Sequence, residues 1–216
     1  MNILIMGAAG SGKGTMAEKI IEKYRIPHIS TGNMFRSAIY AKTPLGLEAQ
    51  KYIDLGRLVP DDVTINMIRE RLLEPDCQSG YLVDGFPRTQ AQAAAFEDIA
   101  KQIGKPIEAV INLQVKLDDL AERVTGRRLC RKCGAIYHIA HNPSKVEGVC
   151  DICGGELFHR SDDTIEQLAT RLQEHVLLTK PVLDYYDRSN LVHNVDASMP
   201  INRVYEEINR ILRKLI

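Results

Sequence analysis

Residues Gly7 to Thr15 read Gly-Ala-Ala-Gly-Ser-Gly-Lys-Gly-Thr and follow directly on the apolar run Ile3-Leu4-Ile5-Met6. The pattern Gly-x-x-x-x-Gly-Lys in that position dictates a buried strand, a tight glycine turn and a helix, the last predicted over Lys13–Tyr24. The glycines allow the backbone to aim successive N–H groups at phosphate oxygens, and the helix adds the positive end of its dipole. Gly10, Ser11, Gly12, Lys13, Gly14 and Thr15 are therefore candidates to cradle the phosphates of a nucleoside triphosphate, with Lys13 as a point charge. The common motif carries Ser or Thr directly after the lysine; here Gly14 intervenes and Thr15 comes one place later.

The rest of the chain alternates strand-like and helix-like runs. Strands are expected at Asn2–Met6, Pro27–Ser30, Tyr81–Asp84, Ala109–Val115 and Leu191–Val195. Helices are expected over Thr89–Ile103, over Thr164–Thr179 with a stripe of Ile165, Leu168, Leu172 and Val176, and from about Pro200 with Val204, Ile208, Ile211 and Leu215 inward. Apolar strands alternating with helices imply an α/β fold, a parallel sheet of about five strands covered on both faces, with ligands at the carboxyl ends of the strands. Ser30–Val59 breaks the alternation with helix after strand: Thr43-Pro44 is a cap followed by proline, and Gly56 lies past the end. Gly126–Asp163 breaks it again, rich in Cys, Gly and charge. The expected division is a core of residues 1–29, 60–125 and 164–216 carrying two insertions, 30–59 and 126–163.

Lys plus Arg and Asp plus Glu number 28 each, so the net charge is zero, which argues against a dedicated nucleic-acid binder. No apolar run is long enough to span a bilayer. With the strand and loop starting at the first residues, the expectation is a cytoplasmic chain without a cleavable leader.

Cys130-Arg-Lys-Cys133 and Cys150-Asp-Ile-Cys153 have the spacing of a zinc ribbon, and Gly134 and Gly154-Gly155 permit the turns after each knuckle. Four thiolates close a tetrahedron and leave no open position, so the expected metal is a structural zinc. His138, His141 and His159 match the spacing less well. Cys77 stands alone as a bystander thiol.

Further motifs follow in order: Ser30-Thr-Gly-Asn-Met-Phe-Arg36, Asp84-Gly-Phe-Pro-Arg88 with Gln92, Gly126-Arg-Arg128, Arg160-Ser-Asp-Asp163 and Arg171. Together with Gly-Lys-Gly-Thr they resemble the adenylate kinase family in its bacterial long-lid, zinc-binding form, over essentially the whole chain. That resemblance implies a P-loop fold and reversible phosphoryl transfer, ATP plus AMP giving two ADP, with magnesium. It implies ATP binding by Gly10 to Thr15, Arg123, Arg127, Ile136, Tyr137 and the backbone of Met199. It implies AMP binding by Thr31, Arg36, Arg57, Leu58, Val59, Gly85, Phe86, Pro87, Arg88 and Gln92, with Gln92 facing the adenine. Lys13, Arg88, Arg127, Arg160 and Arg171 would serve the transferring phosphoryl group, Arg160 and Arg171 clamping it from the AMP side too. Asp84, which ends an apolar strand, would hold magnesium-bound water. The resemblance also implies a monomer whose partners are small nucleotides. Asn33 stands where the family usually has Asp, and Ala9 where it often has Pro.

Physical chemistry agrees with that assignment, because phosphoryl transfer needs positioning and positive charge more than covalent help. Arg123 and Arg171 also fit ordinary exposed helix positions, and Asp162-Asp163 fit first of all a cap for the helix at Thr164, and second a pairing with active-site arginines on closure. Two other functions remain open on the sequence: a kinase for UMP or CMP, and a zinc-ribbon nucleic-acid-binding ATPase.

Overall fold

A computed structural model describes all 216 residues. Five parallel strands, β1 (Asn2–Gly7), β2 (His28–Ser30), β3 (Tyr81–Asp84), β4 (Ala109–Gln114) and β8 (Val192–Asp196), form one sheet in the order β2-β3-β1-β4-β8. The α/β class and the five expected strands are therefore observed, with ends displaced by a residue or so. Successive residues of β1 point to opposite faces, and each face has its own core. Leu4 and Met6 join Val83, Phe86, Phe96, Ile68 and Tyr186, under α4 (Asp61–Leu72), α5 (Gln90–Gln102) and α8 (Lys180–Asp187). Ile3 and Ile5 join Ile111, Met16, Ile20, Val204 and Ile208, under α1 (Lys13–Tyr24) and α9 (Ile201–Leu212).

Residues after β2 form α2 (Thr31–Tyr40) and α3 (Pro44–Ile53). Thr43 caps α3 as its sequence implies, its hydroxyl accepting from the Gly46 N–H at 3.0 Å. After α6 (Leu117–Thr125), the strands β5 (Arg127–Cys130), β6 (Ile136–His138) and β7 (Leu157–Phe158) form a separate antiparallel sheet in the order β6-β5-β7.

Two expectations need correction, and one helix was not expected. The helix expected over Thr164–Thr179 is α7 (Ile165–Glu174) followed by a π turn at His175–Thr179 that runs on into α8. Pro181 has no N–H to donate and its ring crowds the preceding turn, and the wider turn accommodates both. Along the expected stripe Leu168 is buried and Leu172 half-buried, while Ile165, at the start of α7, and Val176, inside the π turn, are exposed. In α9 the innermost residue of the last turn is Leu212, with Ile211 and Leu215 only partly covered. Helix α4 carried no expectation, although Pro60 before Asp61-Asp62 is a start signal that complements the helix dipole.

Candidate active site

Strand β1 delivers Gly7 to the carboxyl edge of the sheet, and the loop after it turns through Gly10 and Gly12, both at positive φ (84° and 94°). No side chain but glycine's is at ease there. Helix α1 starts at Lys13, whose ammonium donates to the Gly7 and Ala8 carbonyls, both at 2.8 Å. Burial pushes the Lys13 pKa down to about 7; Asp84 opposes this, and Arg88, Arg171 and Arg127 add to it. A cation so placed gains most from an arriving phosphate anion. The Ser11 hydroxyl is buried beside the same loop without a hydrogen-bond partner.

Four arginines converge on this loop from three directions. Arg88, after β3, donates through Nε to Gly85 O at 2.8 Å. Arg127 opens β5 and binds Asp163 through two nitrogens, the Nε contact being 2.8 Å. Arg160 binds Asp162 in the same forked manner, and Arg171 on α7 reaches Asp162 O at 3.0 Å and Asp163 Oδ1 at 3.3 Å. The cap of α7 is Thr164, whose hydroxyl accepts from the Gln167 N–H. Asp162 and Asp163 are thus buried counter-charges and not, as expected first, the helix cap. Burial alone would raise their pKa values; Arg160 foremost for Asp162, and the Arg127 hydrogen bond for Asp163, hold them below the ordinary carboxylate range. Even so, positive charge is in excess: Arg36 is pushed down to about 9, by burial first and then by Arg160. Arg171 is pushed down to about 10 by the same pair of causes.

Of the residues expected around AMP, all but Phe86 and Pro87 share one cavity. Thr31, Arg36, Arg57, Leu58, Val59, Gly85, Arg88 and Gln92 line it with Arg160, Asp162 and Arg171. A neighbouring cavity holds Gly7, Lys13, Phe86, Pro87, Glu174 and His175. Gly85, Arg88 and Arg171 belong to both, so the two are contiguous. Thr31 donates to Gly85 O at 2.9 Å, tying the start of α2 to the turn after β3. Asp84 is paired in register with Ile5 of β1, and its Oδ2 lies 3.7 Å from His28 Nε2. Burial works to protonate Asp84, but His28 and then Lys13 keep it ionised.

Expected ATP contacts are met in part. Arg123 donates to Ala197 O at 3.1 Å, and Met199 is half-buried against the core on the α1 side. Ile136 lies over the loop: a Cβ placed on Gly14 would come within 2.6 Å of Ile136 Cδ1. Cδ1 is the end of a side chain that can turn aside, so the approach places Ile136 against the loop without by itself requiring glycine there. The Tyr137 side chain faces the other way, so an ATP contact at this residue would fall to its backbone. It packs with Cys130, Ala135 and Cys150, and its hydroxyl accepts from the Asp151 N–H at 2.8 Å. Alternation along β6 sends 136 and 137 to opposite faces, so residue 137 is left only its backbone with which to meet a nucleotide.

The four cysteines form one cluster, all sulfurs within 4.8 Å of one another. Cys130–Cys153 and Cys133–Cys150 stand 3.4 Å and 3.6 Å apart. Thiolates at ~2.3 Å from a tetrahedral zinc stand ~3.8 Å apart, so the set suits such an ion with little adjustment. His138 is engaged elsewhere, with Nε2 at 3.1 Å from Glu122 O and Nδ1 accepting two backbone N–H groups. Cys77 is buried, as expected of a bystander.

Several site residues escaped the sequence reading. Glu174 Oε2 accepts from the Leu58 N–H at 2.9 Å and fixes the stretch that lines the cavity. Asp61 accepts from Gln92 and Thr89. His175 lies beside Lys13 and Arg88, and its pKa is lowered to about 4, by burial first and then by those two cations. An unfolded histidine titrates near 6.5. Between these values the unfolded chain holds a proton that the native one lacks, so stability should fall as pH drops from about 6.5 to 4. Urea unfolding across that range is expected to show the slope, and His175→Gln to flatten it.

A family model described as adenylate kinase matches residues 5–191. An adenylate kinase of Bacillus licheniformis is 54% identical over 212 residues, covering 98% of each chain. The adenylate kinase of Bacillus subtilis is 51% identical over 212 residues, again 98% of each. That of Carboxydothermus hydrogenoformans is 50% identical over 214 residues, 99% of this chain and 100% of its own.

Proposed function

The chain belongs to the adenylate kinase family, and on that premise we propose how its own residues divide the family's reaction among themselves. The enzyme transfers the terminal phosphoryl group of ATP to AMP, reversibly, giving two ADP. The carrying observation is that Lys13, Arg88, Arg160 and Arg171 line two contiguous cavities, with Arg127 also acting on Lys13, so that buried positive charge faces the space an anion would fill.

In this reading Gly10 to Thr15 take the ATP phosphates through backbone N–H groups, with the Ser11 hydroxyl a spare donor. Lys13 and Arg127 steady the β/γ end, and Arg123, Ile136 and the backbone of Tyr137 and Met199 bound the nucleotide. AMP lies against Thr31, Arg36, the stretch Arg57 to Val59, and Gly85 to Arg88, its phosphate on Arg88 and its adenine at Gln92. Arg160 and Arg171 neutralise charge that spreads over the moving group, and release Asp162 and Asp163 only as far as the phosphates replace them. Magnesium, bound with ATP, supplies further neutralisation of the β- and γ-oxygens. Asp84, kept ionised beside Lys13, is the carboxylate suited to hold it through water.

Residues 126–163 act as a lid over ATP, and residues 30–59 close over AMP. A contact between them supports this: Ser161 Oγ donates to Asp54 Oδ1 at 3.1 Å. Closure keeps water from the phosphoryl group, without which the enzyme would hydrolyse ATP. Zinc in Cys130, Cys133, Cys150 and Cys153 holds the lid rigid and takes no part in the chemistry. No helix is long and apolar enough to cross a membrane, and we read the protein as a cytoplasmic monomer that binds nucleotides and no nucleic acid.

A coupled assay of ADP formation from ATP with a panel of monophosphates tests the reading. AMP is expected to exceed UMP and CMP by about a hundredfold or more in kcat/KM, the margin of a hydrogen-bonded base pocket. Inactivity with AMP would overturn it.

A further inference from the structure

Gln92 is 2% exposed, and both ends of its amide are engaged. Oε1 accepts from the Arg88 N–H at 2.7 Å, and Nε2 donates to Asp61 Oδ1 at 2.7 Å. A backbone N–H can only donate and an ionised carboxylate can only accept, so the pair fixes which end of the amide is oxygen. Asp61 is itself held: its Oδ2 accepts from Thr89 Oγ1 at 2.8 Å, and Thr89 caps α5 by accepting from the Gln92 N–H at 3.1 Å. The four residues close a ring that joins the start of α4 to the start of α5.

An amide oxygen has two lone pairs and an amide nitrogen two hydrogens. With one of each engaged, Gln92 keeps one acceptor and one donor of fixed polarity. Adenine offers a bare ring nitrogen beside an amino group, a match for donor and acceptor in one order. Guanine offers a ring N–H beside a carbonyl oxygen, which needs the amide turned over. We propose that Asp61 is a specificity-determining positioning residue, which holds the Gln92 amide in the polarity that accepts AMP and rejects GMP. The proposal rests on the reading that Gln92 faces the base.

Asp61→Leu removes the acceptor for Nε2. It is expected to raise KM for AMP about three- to tenfold, the worth of one lost hydrogen bond, with kcat at saturating AMP and KM for ATP little changed. The preference for AMP over GMP should narrow by at least that factor. Asp61→Asn keeps the shape and should fall between wild type and Leu, because its carboxamide meets Nε2 in only one of two orientations; it also serves if the Leu variant folds poorly. In a Gln92→Leu background, Asp61→Leu should add nothing to KM for AMP, since there is no amide left to hold. If it raises KM by the same factor in both backgrounds, Asp61 acts on the fold alone and the proposal is wrong. If Gln92→Leu by itself leaves KM for AMP and the AMP:GMP ratio unchanged, the placement of Gln92 at the base fails instead, and the proposal with it.

Discussion

Lys13→Met is expected to cut kcat by about two to three orders of magnitude while leaving the fold in place. In the proposed reading the lysine stands where the charge of the moving phosphoryl group develops, and no other cation starts from the loop itself. The arginines approach from outside it and, on the same reading, would still bind the nucleotides, so KM should move far less than kcat. Stability should move in a different way from activity. Burial already pushes the Lys13 pKa down to about 7, so the charged ammonium is held at a cost that methionine removes. Against this, the Gly7 and Ala8 carbonyls lose a donor, though Ala8 O retains the Ser11 N–H at 3.2 Å. The two effects oppose, and the melting temperature is expected to stay within a few degrees, roughly a 1 kcal/mol change. A large fall in melting temperature alongside the lost activity would make Lys13 a structural residue; undiminished kcat would remove it from the chemistry.

Removing the metal is expected to have the second large effect, through a different route. The buried apolar cluster of the cysteine-bearing segment consists of Cys130, Ala135, Tyr137 and Cys150, with Cys153 and Leu157 against it. Three of those six are metal ligands by the present reading, so little core remains without the ion. Metal binding contributes ~10–16 kcal/mol in small zinc-stapled folds, and a segment with so little core cannot replace that. Dialysis against a strong chelator should therefore melt residues 126–163 at a lower temperature than the parallel sheet, seen as a separate early calorimetric transition. Phosphoryl transfer to AMP should fall with it, and ATP hydrolysis should rise relative to transfer because the cover is lost. Cys150→Ser should act in the same direction. If turnover vanished while the segment stayed folded, the metal would have to belong to the chemistry. Atomic absorption on the purified protein identifies the ion.

Much of this molecule is legible in its sequence because its signals are local. Glycines at 10 and 12 leave the loop few alternatives, paired cysteines have a spacing few other purposes require, and β1 is apolar from Ile3 to Met6 because both faces are covered. What escaped depends on contacts between distant segments. Asp61 looks like a helix-start acid until α5 is laid beside it. Asp162 and Asp163 could be read as caps or as partners of arginines, and only the approach of Arg127, Arg160 and Arg171 from separate segments decides for the second. The π turn at His175–Thr179 answers to Pro181, a residue whose effect falls on the turn before it. The face that the Tyr137 side chain presents was not legible either, since strand alternation fixes opposite faces for neighbours but not which face turns toward the loop.

Arg127 and Asp163 stand at the two ends of the cysteine-bearing segment and grip each other directly. The chain thus leaves the main body and re-enters it through a single doorway, one arginine side chain wide. What lies beyond the doorway is nearly free to vary, because lengthening or shortening an excursion whose ends already meet costs only a slowly growing entropy. The segment is in this sense a graft on a stem. A short turn in its place would leave the five-stranded sheet standing, and a larger appendage would be carried as readily. The ion pair that shelters the chemistry is thereby also the seam along which this protein could lose, gain or exchange a part.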